Sequence, residues 1–211
     1  LEEQGHSPDD EVDEVLWLPV DRADDLLTYP SEFQVLKEAL SVRPPTTTIV
    51  VVRHGKAVSR KEWAAGTSRK HRDDARRPLD RRGKRQAEAL PQILDCYAVH
   101  RLVSSSAARC VQTLTPYAKQ IGVDVRADDE LTEEVHTEDP DRTEARMCRI
   151  VADALNDPAQ PVAICGHRPV LPLMNHALGV VYHPMSTAEC LIVHLDRDGK
   201  SLAEERLDSI I

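Results

Sequence analysis

Three short apolar runs interrupt the otherwise polar pattern of this chain, at residues 49–52, 102–103 and 162–165. Their aliphatic and β-branched residues have no polar residue between them, which is typical of strands buried on both faces of a sheet. Apolar residues at helical spacing predict helices over residues 83–95, through 111–118, over 141–156 and over 169–178. This alternation predicts a three-layer α/β/α sandwich with a mostly parallel central sheet.

The two ends of the chain follow other patterns. Residues 190–195 and 202–207 flank a turn-rich segment and predict a hairpin. A helical pattern over residues 33–40 is followed by two adjacent prolines, typical of a linker. Because the first forty residues carry too little apolar surface for a core of their own, we expect them to pack on the main body or to belong to a larger domain. The predicted domains are residues 1–43 and 44–211.

Composition is that of a soluble globular protein, with 41% hydrophobic and 30% charged residues. No apolar run approaches the roughly 20 residues that span a bilayer, and the first residues lack the features of a signal peptide. The five cysteines include no Cys-x-x-Cys pair, which favours a reducing compartment over a disulfide framework or a zinc site. We therefore predict a cytoplasmic location, no membrane partner and no bound metal.

Charge is distributed unevenly along the chain, whose net charge is −9. Residues 1–40 hold 12 acidic and 2 basic side chains, whereas residues 56–86 hold 12 basic and 4 acidic ones. A basic segment within an acidic protein is not the footprint of a nucleic-acid-binding domain, so we expect no nucleic acid polymer as a partner. Three interpretations stay open: a solvated loop face, a local field that attracts a small polyanion, and a surface that docks against the acidic first forty residues or against a partner copy.

Basic and imidazole side chains follow each of the three predicted buried strands. Arg53, His54 and Gly55 follow the first strand, Arg109 closes the short polar stretch after the second, and His167 comes just after the third. Since the carboxyl ends of parallel strands meet at one edge of a sheet, we expect these side chains to converge there.

These residue types suit phosphoryl transfer. A neutral imidazole can attack phosphorus and form phosphohistidine. Arginines hold the negative oxygens of the transferring group, and a second imidazole adds another donor. A glycine after the nucleophile allows a tight backbone turn. Such a site needs no metal, because its cations are side chains.

At these positions the chain resembles the histidine phosphatase superfamily, whose fold is phosphoglycerate mutase-like, and within it the short branch that includes SixA-type phosphohistidine phosphatases. The resemblance covers about residues 48–211. It rests on the segments Arg53-His54-Gly55-Lys56-Ala57, Asp74-Ala75-Arg76-Arg77-Pro78-Leu79, Gly83, Gln86-Ala87, Ser104-Ser105, Arg109, Gln112-Thr113 and Gly166-His167. It implies that His54 is the nucleophile and that Arg53, Arg109 and His167 form the phosphate pocket.

The resemblance also implies a general acid. Larger members of the family use a Glu in a Leu-x-Glu context, which Glu133 matches, with Glu134 and His136 as neighbouring competitors. The alternative is a charged loop without a catalytic role, and SixA-type members lack a clear acid.

The first forty residues resemble the tail of a Nudix (MutT-like) hydrolase domain, on residues 11–20, 25–27 and 33–40. The Nudix box is absent from the sequence. Nudix domains followed by histidine phosphatases occur in actinobacterial proteins that hydrolyse nucleotides, including oxidised guanine nucleotides and dinucleoside polyphosphates. The resemblance implies a Nudix domain of the same protein as a partner, Mg²⁺ only for the missing part of that domain, and no cofactor for the phosphatase domain.

In a nucleotide hydrolase of this two-domain architecture, the basic segment would bind the phosphates of the substrate. Together with Gly55, its cations, among them Lys56 and Arg77, are candidates for binding a di- or triphosphate tail, and Trp63 for stacking on a base. The alternative for Trp63 is a loop anchor. We predict a phosphohydrolase that removes a terminal phosphate from a nucleotide substrate. The alternatives are a SixA-like protein phosphohistidine phosphatase and a non-catalytic phosphate-binding module, and homo-oligomerisation stays open.

Overall fold

The computed structural model describes residues 46–211 throughout, and residues 2–3, 10–11, 13, 16–17, 20–23 and 25–42 of the preceding part. It divides the chain into two compact units, Leu1–Pro45 and Thr46–Ile211. The two adjacent prolines of the predicted linker, and much of the segment 11–20 that resembles a Nudix domain, lie outside the described residues.

Four short or medium elements lie within the described residues of the first unit. Strand β1 (Glu2–Glu3) pairs in antiparallel fashion with β2 (Leu16–Trp17), and helices α1 (Val20–Ala23) and α2 (Pro30–Val42) follow. The carboxylate of Glu32 accepts hydrogen bonds from two backbone N–H groups just before α2, which defines where that helix begins. The helix predicted over residues 33–40 is confirmed and extends further at both ends.

A six-stranded sheet organises the second unit, in the order β5-β4-β6-β3-β7-β8. Its strands are β3 (Thr47–Arg53), β4 (Arg101–Ser105), β5 (Val125–Asp128), β6 (Val162–Gly166), β7 (Cys190–Leu195) and β8 (Ser201–Leu207). The pairs from β5 to β3 are parallel, whereas β7 pairs antiparallel with both β3 and β8. The three buried strands and the hairpin are therefore confirmed.

Seven α-helices accompany these strands in the described part of the second unit. They are α3 (Arg60–Ala64), α4 (Arg81–Ala89), α5 (Pro91–Leu94), α6 (Ala108–Ile121), α7 (Glu133–Glu138), α8 (Pro140–Asn156) and α9 (Leu171–Ala177). The helix predicted over residues 83–95 is two helices, because Pro91 begins a new one. None of the helices within the described residues has both the length and the apolarity to cross a bilayer.

Alternating residues of the central strand β3 face two separate hydrophobic cores. Val50 packs in one core with Leu114 of α6, and Val51 packs in the other with Met147 of α8. All four side chains are fully buried. Side chains that alternate between two cores place one helical layer on each face of the sheet, which confirms the predicted three-layer arrangement.

Helix α4 approaches the loop after β3 at a glycine. A Cβ on Gly83 would lie 2.0 Å from the carbonyl oxygen of Lys56, and a Cβ on Gly55 would lie 3.0 Å from the carbonyl oxygen of Gly83. The backbone of Gly55 is not in the left-handed region, so this glycine provides room for α4 rather than the left-handed turn that only glycine favours.

We expect Gly83→Ala to destabilise the fold by about 1–3 kcal/mol, because the added methyl meets backbone that cannot rotate away. Urea unfolding measures this, with Arg82→Ala on the exposed side of the same helix as the control. Equal unfolding free energies for Gly83→Ala and the wild type would show that α4 does not need this close approach.

Candidate active site

The end of β3 fixes His54 and its tautomer. The backbone N–H of His54 donates to the carbonyl oxygen of Gly166, 3.1 Å away, which extends the pairing of β3 with β6. Its ring nitrogen Nδ1 lies 2.7 Å from the carbonyl oxygen of Gly55. A carbonyl only accepts, so Nδ1 carries the hydrogen and Nε2 keeps a free lone pair. Burial, with smaller effects of nearby positive groups, lowers the pKa of His54 to about 4, so the ring is neutral at pH 7.

His167 follows β6 and is fully buried beside His54, with 5.4 Å between the ring centroids. Its Nε2 lies 2.8 Å from Ser105 Oγ, and its Nδ1 lies 3.3 Å from a carboxylate oxygen of Glu133. Burial alone would lower its pKa, but the contacts with Cys110 and Glu133 outweigh burial and raise the pKa to about 9. At neutral pH this imidazole is therefore a cation with two N–H donors.

Arg109 lies in the first turn of α6, and its side chain has no exposed surface. Nη1 donates to the carbonyl oxygen of Asp74 at 2.9 Å and is 3.3 Å from the Asp74 carboxylate, while Nη2 donates to Glu133 at 3.1 Å. Its Nε is buried without a hydrogen-bond partner among the described residues. A buried guanidinium with one unused donor is suited to hold an anion.

Glu133 begins α7 and accepts from three cations at once: Arg109, His167 and Arg60, whose Nη2 is 2.6 Å away. The hydrogen bond from His167, followed by the charges around it, holds the pKa of this carboxyl far below its usual range. Glu133 therefore lies in the site as predicted by the Leu-x-Glu spacing. In this arrangement it is ionised and has no proton to donate, and its role as general acid stays a prediction.

Asp74 completes a closed set of alternating charges. Its carboxylate contacts Arg109 and Arg77, and lies 3.5 Å from Nε of Arg60. We call the four residues Arg60, Glu133, Arg109 and Asp74 the charge ring. The ring is neutral by itself. Arg77 contacts one of its carboxylates and His167 the other, which adds positive charge at this end of the sheet.

Arg53 directly precedes His54 and is the last residue of β3. Its Nη1 donates to the carbonyl oxygen of Met185, and its Nε is buried with no hydrogen-bond partner among the described residues. Burial, reinforced by the nearby charge of Arg168, lowers its pKa. The described contacts place its guanidinium beside the loop before β7, and its role in the phosphate pocket stays a prediction.

The predicted substrate-binding residues of the basic segment have different surroundings. Lys56 is exposed, and its backbone N–H donates to Gln86. Trp63 donates from Nε1 to the carbonyl oxygen of Asp73 and packs edge-on against His71, with ring centroids 4.3 Å apart. These contacts are compatible with a loop anchor, the alternative considered for Trp63, and its stacking on a base stays a prediction.

Arg77 is buried rather than open to a ligand. It donates from Nε to Asp74 at 2.8 Å and from Nη1 to the carbonyl oxygen of Val58 at 2.8 Å. These bonds hold the basic segment together and orient Asp74 toward Arg109. Arg77 thus acts on the site through Asp74 in this arrangement, and direct binding of substrate by Arg77 stays a prediction.

Sequence reasoning gave no role to several residues that support the site. Thr113 accepts from the backbone N–H of Gly55 at 3.0 Å and donates to the carbonyl oxygen of Arg109 at 2.7 Å, so it ties the nucleophile loop to α6. Cys110 lies 3.5 Å from His167 Nε2. Asp74 and Thr113 both fall in segments that carry the family resemblance, which was the available signal; nothing in the sequence singles out Cys110.

A metal is not favoured by this arrangement. His54, Glu133 and His167 each offer a ligand atom, and these atoms lie within 4.8 Å of one another. However, Glu133 is already paired with Arg60 and Arg109, and their fixed positive charges repel a metal ion and attract an anion. We therefore assign the cluster to anion binding.

Comparison with known proteins agrees with this geometry. Residues 49–136 match the model of the histidine phosphatase superfamily (branch 1). This segment of the chain is similar to the histidine phosphatase superfamily. A curated relative from Mycolicibacterium smegmatis, named 8-oxo-(d)GTP phosphatase, is 39% identical over 166 residues, which are 79% of this chain and 48% of the relative. The chain thus spans about half the length of that relative, and both matches agree with the predicted class of phosphate-removing hydrolase.

Solved structures confirm the predicted phosphoglycerate mutase-like fold. The protein histidine phosphatase SixA, solved with tungstate, aligns with a TM-score of 0.58 at 20% identity over 77% of this chain and 97% of SixA. A protein described as mycobacterial hydrolase 1 aligns with a TM-score of 0.57 at 16% identity, over 78% of this chain and 98% of that one. A mycobacterial glucosyl-3-phosphoglycerate phosphatase aligns with a TM-score of 0.54 at 16% identity, over 78% of this chain and 99% of that phosphatase.

We expect kcat/KM for phosphate release to be sustained across neutral pH and to fall at both extremes. Below about pH 4 His54 gains a proton and loses its nucleophilic lone pair, and above about pH 9 His167 loses the proton that makes it a cation. Rates from about pH 3 to about pH 11, corrected for ionisation of the substrate phosphate, measure both limbs. An alkaline limb near the ordinary histidine pKa of about 6.5 would contradict a protonated His167.

Proposed function

We propose that this domain removes the terminal phosphate of a nucleotide through a phosphohistidine intermediate on His54. The observation that carries the proposal is the neutral ring of His54, with Nδ1 bonded to Gly55 and Nε2 free, beside a pocket with an excess of positive charge. A neutral nucleophile and fixed cations are the two requirements of phosphoryl transfer without a metal.

The reaction has two steps. In the first, Nε2 of His54 attacks phosphorus, an N–P bond forms, and the P–O bond to the leaving group breaks with its electron pair on that oxygen. In the second, water attacks phosphorus, the N–P bond breaks with its electrons returning to Nε2, and orthophosphate leaves. Arg109 and protonated His167 hold the equatorial oxygens in both steps, and both protons of the water leave with the orthophosphate.

The ionised state of Glu133 supports a leaving group that departs as a stable anion. An alkoxide needs a proton from a general acid as it leaves, whereas the diphosphate end of a nucleotide does not. A nucleoside triphosphate that loses its terminal phosphate produces such a leaving group. The name of the Mycolicibacterium smegmatis relative, 8-oxo-(d)GTP phosphatase, supports the same class of substrate.

For the whole protein we propose a two-domain nucleotide hydrolase in which this domain is the C-terminal module. The length of the relative, of which the chain spans 48%, and the Nudix resemblance of residues 1–43 support this proposal. Its substrates would be oxidised or ordinary nucleoside triphosphates, or dinucleoside polyphosphates. Mg²⁺ is assigned only to the Nudix domain, which would be the partner of this module, and no cofactor is assigned to the phosphatase domain. The cytoplasmic location stays a prediction.

The second candidate is a phosphatase that acts on phosphohistidine in another protein. Its leaving group is an imidazole nitrogen, which also departs without the strong acid that an alkoxide requires, so an ionised Glu133 is compatible with it. The two candidates share the first step on His54 and differ only in what lies beyond the scissile phosphate.

We expect phosphate release from nucleoside triphosphates without added metal, and loss of at least about a thousandfold in kcat for His54→Ala, because the nucleophile is removed. A panel of guanosine tri-, di- and monophosphates, together with a phosphohistidine-bearing protein, measures the substrate class. His183→Ala, which changes a histidine outside the site, is the matched control.

Three outcomes would change the proposal. Release that survives His54→Ala would exclude phosphohistidine on this residue. Turnover of the phosphorylated protein alone would select the second candidate. Nucleotide binding with no release from any substrate would identify a non-catalytic phosphate-binding module.

A further inference from the structure

Arg60 lies at the outer edge of the charge ring. It is the first residue of α3, whose start is fixed by the hydroxyl of Ser59 accepting from the N–H of Glu62. Its side chain is 66% exposed, whereas Arg109 at the opposite corner of the ring has no exposed surface. The ring therefore connects the buried phosphate pocket to solvent, and Arg60 is its solvent end.

The position of Arg60 depends on carboxylates that have other partners. Glu133 also pairs with Arg109 and His167, and Asp74 also pairs with Arg109 and Arg77. Removing Arg60 from the ring thus leaves neither carboxylate without a cation. Because ion pairs of exposed side chains contribute little to stability, Arg60 can exchange these partners for a ligand at small cost.

Other arginines of the same segment lack this combination. Arg77 is buried and its donors are occupied by Asp74 and Val58. Arg76 is as exposed as Arg60 but pairs with Asp73, 3.2 Å away, and not with a member of the charge ring. Arg60 is the arginine of these three that is both exposed and in contact with the ring.

The spacing within the ring fits a chain of phosphates. The two oxygens of Glu133 bridge Arg60 and Arg109, one oxygen to each guanidinium. Two phosphates joined by a bridging oxygen can likewise offer one set of oxygens to each arginine, with more negative charge than one carboxylate. Bidentate, charge-assisted bonds from guanidinium to phosphate are among the strongest hydrogen bonds in proteins.

We propose that Arg60 binds the phosphate group next to the scissile one and leaves Glu133 when it does so. The inference rests on the proposed phosphohydrolase function and deepens it: the preferred ligands carry at least two linked phosphates. Arg109 and His167 hold the scissile phosphate, and Arg60 distinguishes a di- or triphosphate from a simple phosphate ester.

Binding to a variant without turnover tests this directly. In the His54→Asn background, calorimetry compares inorganic triphosphate with orthophosphate, for Arg60 intact and for Arg60→Gln. We expect Arg60→Gln to weaken triphosphate binding by about tenfold or more, the size expected for one charge-assisted hydrogen bond, and to change orthophosphate binding less than about twofold. Arg76→Gln, an equally exposed arginine on the same segment, should change neither.

Turnover of single variants with His54 intact provides the second test. Arg60→Gln should lower kcat/KM for guanosine triphosphate and diphosphate by at least about fivefold more than kcat/KM for p-nitrophenyl phosphate, since the ester has no second phosphate. Equal losses for all ligands, or no loss of triphosphate binding, would overturn the role of Arg60. Failure of the proposed function is distinguishable, because the wild type would then release no phosphate from any substrate while the binding comparison still reports on Arg60.

Discussion

The complete burial of the Arg109 guanidinium is the constraint on which the rest of the site depends. A charge without exposed surface is tolerated only when it is paired and hydrogen-bonded, and two carboxylates from distant parts of the chain meet this need. Asp74 comes from the basic segment after β3, and Glu133 comes from the start of α7. The same pairing therefore fixes two loops around the carboxyl ends of β3, β4 and β6, where the phosphate pocket forms.

Two histidines acquire opposite charge states within this frame. His54 is buried against a backbone carbonyl and near cations, so it remains neutral and nucleophilic. His167 contacts a carboxylate and a thiol, so it keeps its proton and serves as a cation. One residue type supplies both the nucleophile and part of the electrostatic stabilisation, because the neighbours of each ring differ. In the proposed mechanism, this division of roles allows phosphoryl transfer that relies on side-chain cations.

The central fold and the convergence of His54, Arg109 and His167 are predictable from the sequence, because buried parallel strands have uninterrupted apolar runs and their carboxyl ends share one edge. Strand β5 and helix α7 are not predictable from the sequence, because both are short and because the charged residues around Asp128 and Glu133 are typical of a loop. The contacts of Trp63 and Arg77 within their own segment, and the role of Asp74, depend on long-range packing. Residue spacing does not encode such packing. The sequence of the basic segment therefore does not show which of its residues pack within the protein and which are free to bind a ligand.

Detection of phosphate on His54 is the most direct test that this site is a phosphohistidine centre. The domain is mixed with a nucleoside triphosphate, quenched at alkaline pH to preserve the acid-labile N–P bond, and analysed by peptide mass spectrometry within the first turnover. Phosphate on the peptide that contains His54, absent after His54→Asn, is the predicted result. Turnover without phosphate on that peptide, or with phosphate on another residue, would contradict the mechanism.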